Sequence, residues 1–164
     1  MLSEGGIRVP FVLSWPGTLP AGSTYSEPVS SLDIAPTALA AAGIAKSAQL
    51  DGVDLMSFLT GRKIGPPHDV LYWRFWNQAA IRAGRWKYLC LGLSAEFLFD
   101  LESDAHERNN LITEHPAKAR ELRERLGAWC RELRPPGLPD ALGNQQEIPW
   151  YRHYFGLKDT RVTR

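Results

Sequence analysis

The stretch richest in chemistry lies at the start, where Glu4-Gly5-Gly6-Ile7-Arg8-Val9-Pro10 sets a carboxylate and a guanidinium on either side of paired glycines. Two glycines in a row permit a backbone turn that side chains would forbid. The simplest product of such a turn is an ion pair of Glu4 with Arg8 at the entrance of a strand. A second candidate is Arg74, a cation set among Tyr72, Trp73, Phe75 and Trp76. Beside a cleft it would help select an anionic substrate; elsewhere it would pack as a structural cation on Trp73 or Trp76.

The remaining candidates are weaker. His68, His106, His115 and His153 are scattered without ligand spacing, and no second histidine follows His106-Glu107 as a zinc helix would require. Asp51 and Asp54 in LDGVDL could suggest calcium, but the alternation of oxygen ligands is absent and a turn accounts for them. Cys90 and Cys130 match no metal spacing; a disulfide is allowed, and two buried thiols are the simpler expectation.

Several elements must position these residues. Ile7 to Trp15 is an apolar, β-rich run that reads as a buried strand, with Pro10 favouring an edge or a bulge and Pro16-Gly17 ending it. After a loop, Asp33 is placed to cap a helix over Ile34–Ala42, with Pro36 in its first turn and Gly43 as the stop. Leu50 to Arg62 predicts a turn at Asp51-Gly52 and a short apolar helical turn through Leu55, Phe58 and Leu59. Gly65-Pro66-Pro67 marks a boundary.

Beyond it the spacing predicts an antiparallel meander of short strands: Val70–Trp76, Ala79–Arg82, Trp86–Leu91 and Glu96–Leu101, with turns at Asn77, Ala83-Gly84 and Gly92. Ala117–Leu133 carries Ala119, Leu122, Leu126, Trp129 and Leu133 on one stripe, with Pro116 before it and Pro135-Pro136 after it. A helix with one apolar stripe must lie on something, and the aromatic sheet is its natural partner. Trp150, Tyr151, Tyr154 and Phe155 in the Pro- and Gly-rich tail are expected to dock back on the body. The result is an α+β chain in three parts: 1–64, 65–134 and an irregular aromatic tail over 135–164.

Composition excludes some classes. With 44% hydrophobic and 23% charged residues among 164, the chain is ordinary globular material. A net charge of +1, from 19 Lys and Arg against 18 Asp and Glu, offers no global field for nucleic acid or an anionic membrane, so neither is an expected partner. Met1 to Pro10 carries no signal-peptide pattern, and no run is long and apolar enough for a membrane span.

Three ordered segments, EGGIRVPFVLSWPG, SSLDIAPTALAAAG and LDGVDLMSFLTG, resemble the arylsulfatase family; IRAGRWKYL, FLFDL and the run Asp104-Ala105-His106-Glu107-Arg108-Asn109-Asn110-Leu111 are similar to its C-terminal subdomain. The resemblance covers residues 3 to 133. It implies the end of a large, alkaline-phosphatase-like α/β domain, present here as a strand and a helix, followed by a small antiparallel sheet packed by one long helix. It also places Glu4, Gly5, Gly6 and Arg8 in a motif near the active site, and puts the sheet that carries Arg74 at the border of the substrate pocket.

The chemistry implied is cleavage of a sulfate ester by a formylglycine hydrate, made from Cys or Ser in a C-x-P-x-R motif, beside a calcium ion held by Asp and Asn. Sulfate needs a strong nucleophile, a cation for its oxygens and an acid for the leaving group. By resemblance these lie upstream: the sulfate-contacting Lys would precede Met1, and the paired metal aspartates have no counterpart. This chain is therefore expected to supply no catalytic residue, metal ligand or cofactor of its own. Cys130-Arg131-Glu132-Leu133-Arg134 mimics the nucleophile motif, but Glu132 stands where Pro or Ala belongs, at the end of a helix instead of its start.

The leading expectation is thus a C-terminal fragment of a sulfuric ester hydrolase, inactive alone, whose partner is the N-terminal portion or, through the exposed opening strand, another copy of itself. The alternatives are a noncatalytic α+β module that binds a sulfated sugar or a protein, and one half of a split sulfatase. Many relatives are exported, so a periplasmic or secreted setting is compatible with the resemblance.

Overall fold

The computed structural model describes residues 1–76, 78–91, 95–135 and 153–156. The turns expected at Asn77 and Gly92, and the tail residues Trp150 and Tyr151, lie outside them. The described chain forms two compact units: residues 1–9 with the residues from Tyr72 onward, and residues 10–71.

The first unit is built on a four-stranded sheet in the order β1-β2-β3-β4, with β1 Val70–Phe75, β2 Gln78–Ala83, β3 Trp86–Leu91 and β4 Glu96–Asp100. This is the meander that the aromatic runs predict. β2 and β3 are antiparallel with Arg82 opposite Lys87, and β3 and β4 with Lys87 opposite Phe99. Gly84, at φ 57°, takes the first central position of the two-residue turn between β2 and β3, where a positive φ is needed.

Side chains alternate across the sheet, and both faces are covered. Helix α4, Pro116–Glu132, starts on Pro116 and lays Ala119, Leu122 and Leu126 on β2 and β3. On the same face Arg123 donates through Nε to the Tyr88 hydroxyl at 3.2 Å, and pairs with Glu96. Burial holds the Tyr88 phenol well above its usual pKa, against the opposing pull of the Arg123 hydrogen bond. Tyr72 stacks on Trp129 with ring centres 5.0 Å apart.

On the opposite face Ala80, Leu89, Phe97 and Phe99 pack with Leu2 in the core, and Met1, Ile7 and Phe155 close over it. Phe155 sits 4.8 Å from the Phe97 ring, so this part of the tail does dock on the sheet. The four-residue turn α1, Glu4–Ile7, also belongs to this unit.

The second unit contains a 3-10 turn, Ser31–Asp33, then α2, Ile34–Ala41, and the short α3, Met56–Leu59. Gly43 ends α2 at φ 69°, and the Ile44 amide returns to the Leu39 carbonyl at 2.9 Å, as in a Schellman stop. None of the described helices is long and apolar enough to cross a membrane.

Two local expectations are corrected. The run from Ile7 to Trp15 does not form a strand: Ile7 ends α1, and residues 8–15 have no regular structure. Strand propensity describes a side chain's fit to a pleated neighbour, and no described strand lies alongside to supply a ladder. Asp33, in turn, does not cap α2 with its side chain. Its carboxylate reaches back to the Ser30 amide at 2.7 Å, closing a capping box on the preceding 3-10 turn.

Candidate functional site

The Glu-Gly-Gly motif is the first centre. Its chain doubles back so closely that a Cβ on Gly6 would lie 3.1 Å from the Met1 carbonyl carbon and nearer still to its oxygen, whereas Gly5 faces open space. Only the second glycine is therefore required by packing. The turn carries Glu4 into the interior, where the Lys87 ammonium, fully buried on β3, lies 2.9 Å from Glu4 Oε1.

Glu107 completes the centre. Its Oε1 is 2.7 Å from Lys87 Nζ, off the direction of a hydrogen bond, so this contact is coulombic. Its Oε2 accepts the Glu4 amide at 2.7 Å. Arg82 Nη1, half-exposed at the edge, is 4.0 Å from Glu4 Oε2. Two carboxylates thus share one buried ammonium with a guanidinium at the rim, a neutral set in which each buried charge has an opposite partner. Arg8 takes no part: it leaves the turn as its C-cap, at φ -85° and ψ 84°, and is exposed, whereas Glu4 is buried and the ion pairs described for it are with Lys87 and Arg82.

The run around Glu107 is tied down at both ends. Asp104 accepts the Asn109 amide at 2.8 Å, and Asn110 accepts the Leu98 amide at 2.9 Å while donating to the Glu96 carbonyl. Glu107 and Asn110 escape residue-by-residue reading, because nothing local distinguishes them in a polar stretch. The only signal was the similarity of the whole run to a family motif. Lys87 joins Glu4 and Glu107 from the sheet.

Arg74 lies on β1 and donates through Nη2 to the Arg134 carbonyl just past α4. It does not sit over Trp73 or Trp76 among the described cation–ring contacts, so the expected stacking is replaced by a clamp between the strand and the chain leaving the helix.

The second centre belongs to residues 10–71. Asp33 is fully buried, and besides Ser30 it accepts the Val53 amide at 2.9 Å and holds His68 Nε2 at 2.8 Å. Thr37, one turn along α2, accepts the Leu55 amide at 3.0 Å. Gly52 passes so close that a Cβ would lie 2.8 Å from Asp33 N and nearer still to the Leu32 carbonyl. These contacts explain why LDIAPT and LDGVDL occur together: the first supplies acceptors and the second the backbone that fits against them. His68, found in no motif, is the residue that sequence reasoning missed here.

The Asp54 oxygens accept the Met56 amide at 2.9 Å and the Ser57 hydroxyl at 2.8 Å, so both are engaged by the start of α3. Asp51 is exposed, and among the described residues no three His, Cys, Asp or Glu side chains gather to hold a metal. Cys90 and Cys130 are half-buried free thiols. Burial raises the Cys90 pKa, and burial raises that of Cys130 against the opposing pull of Arg74, which keeps both in the poorly nucleophilic thiol form. His106 is exposed, His115 meets the edge of Trp86, and His153 meets Tyr154.

Comparison with known proteins agrees with these motifs. The family described as N-sulphoglucosamine sulphohydrolase, C-terminal, matches residues 1–134. Human steryl-sulfatase is 41% identical over 85 residues, covering 51% of this chain and 14% of that protein. The choline-sulfatase of Rhizobium meliloti (strain 1021) is 38% identical over 114 residues, covering 66% of this chain and 22% of its own length. Among solved structures, that of Ps i-CgsB superposes with a TM-score of 0.67 at 27% identity, covering 85% of this chain and 32% of that one. The chain spans less than a third of the length of each of these relatives.

Proposed function

Because the chain belongs to the sulfatase family, to its C-terminal region, we propose that it is the C-terminal portion of a sulfuric ester hydrolase and does not turn over sulfate esters alone. The observation that carries this reading is the family match over residues 1–134 combined with coverage of only 14% and 22% of two curated relatives. By the family resemblance, the formylglycine nucleophile and the calcium ion of the intact enzyme belong to the N-terminal portion. What this chain contributes is placement: a rigid sheet, the Glu-Gly-Gly turn, and Arg74 on a strand that borders the substrate region. The relatives' names point to a sterol and to choline, so the substrate class is read no more finely than a sulfate ester.

The partner of this portion is the N-terminal portion. In residues 10–71, Phe11, Val12, Leu13, Trp15 and Ile34 are exposed large apolar side chains, Val12 to 88%. Phe11, Leu13, Trp15 and Ile34 also line an apolar hollow of about 180 Å³ with Ala38 and Met56. Exposed apolar surface of this kind favours association. The isolated chain is therefore expected to self-associate on gel filtration, and Val12→Lys to shift it toward the monomer. It is also expected to release no sulfate from an aryl sulfate ester above the rate without protein. Turnover by the purified chain, or a clean monomer with cooperative unfolding, would overturn the reading.

A further inference from the structure

Glu107 combines two properties that rarely coincide. It is buried to 3% exposure, and its backbone lies in the left-handed region at φ 56°, which residues with a Cβ seldom adopt. Such a conformation persists only where the surroundings over-determine it. Here they do, since its carboxylate serves two partners distant in sequence, the Glu4 amide and the Lys87 ammonium, each at 2.7 Å.

The turn that receives this carboxylate has little to hold it otherwise. A four-residue helix is far below the length at which helices are stable alone, and the Ser3 cap position makes no side-chain bond. The first amide of a helix has no acceptor within it; Glu107 supplies one from outside. Lys87 then fixes the Glu4 side chain from the sheet, so both the backbone and the side chain of Glu4 are held by residues of other elements.

We propose that Lys87 and Glu107 are positioning residues, forming a carboxylate–ammonium–carboxylate latch that sets the Glu-Gly-Gly turn from the sheet. Neither group touches a reacting atom; they act through the turn. The bearing of this latch on catalysis rests on the sulfatase reading, whereas the latch itself does not.

Amide hydrogen exchange by NMR on the 164-residue chain tests it. Glu107→Gln keeps the volume and an acceptor oxygen but removes the charge that binds Lys87. The expected result is exchange faster by about tenfold or more at Glu4, Gly6, Ile7 and Arg8, with the β2–β3 ladder within about twofold of its original rates. Equal acceleration everywhere would show that Glu107 serves overall stability only, and no change at the turn would show that the turn stands alone; either overturns the proposal. Should the variant fail to fold, the unaltered chain decides: the Glu4 amide is expected to be protected at least as well as that of Gly6, and an unprotected Glu4 amide would refute the latch. Neither measurement involves sulfate release, so the latch and the sulfatase reading fail separately.

Discussion

Lys87→Met is expected to destabilise the chain by about 3–5 kcal/mol, because it strands two buried carboxylates that now share one ammonium. Arg82, 4.0 Å from Glu4 and half-exposed, is too far out to replace it. A loss of that size consumes much of the roughly 5–15 kcal/mol that holds a typical domain together. Urea unfolding followed by tryptophan fluorescence should show the midpoint collapse. Adding Glu4→Gln and Glu107→Gln to Lys87→Met is expected to recover a large part of the loss, since no uncompensated charge is then buried and Arg82 at the rim is open to water. A cost below about 1 kcal/mol for Lys87→Met alone would mean that the cluster is wetter than its burial indicates.

Asp33→Ala is expected to have the second largest effect. The carboxylate accepts the Ser30 and Val53 amides and pairs with His68, and its removal leaves donors without acceptors beside a fully buried position. With hydrogen bonds to a charged group worth about 1.5–3 kcal/mol each, and partial compensation by water, a loss of roughly 3 kcal/mol follows. It should appear as faster amide exchange at Ser30 and Val53. Asp33→Asn, which keeps one acceptor oxygen, is expected to lose about half as much. If Asp33→Ala left these amides as protected as before, the account of why LDIAPT and LDGVDL occur together would be wrong.

Much of the sheet unit was legible in the sequence because its rules are local. Gly84 marks the turn between β2 and β3, Pro116 the start of α4, and the stripe of Ala119, Leu122 and Leu126 the face that packs. The run from Ile7 to Trp15 misleads for the opposite reason: its β propensity is real, but a strand exists only with a neighbour to pair with. Lys87 is hard to read because a lysine in a strand ordinarily marks a solvent-facing position. Its partners are Glu4 and Glu107, and no local pattern links residues so far apart. Glu107 is harder still, because nothing in its own sequence neighbourhood announces a left-handed backbone.

The two centres also differ in how the motifs pointed to them. Glu-Gly-Gly reads in the sequence as a turn bearing charge, and it is one, but with Lys87 as the partner of Glu4 in place of Arg8. The sequence places Asp33 as a helix cap, and it is a junction of three segments instead. In both cases the sequence points to the residue and not to its partner, because an element's own sequence determines its conformation more directly than its tertiary contacts.

The central claim, that this chain is one portion of a larger sulfatase, is tested most directly by the mass of the native protein, captured from its own cells with an antibody against α4. The account predicts a species several-fold heavier than the 18.4 kDa of this chain. A native protein of 18.4 kDa would contradict it.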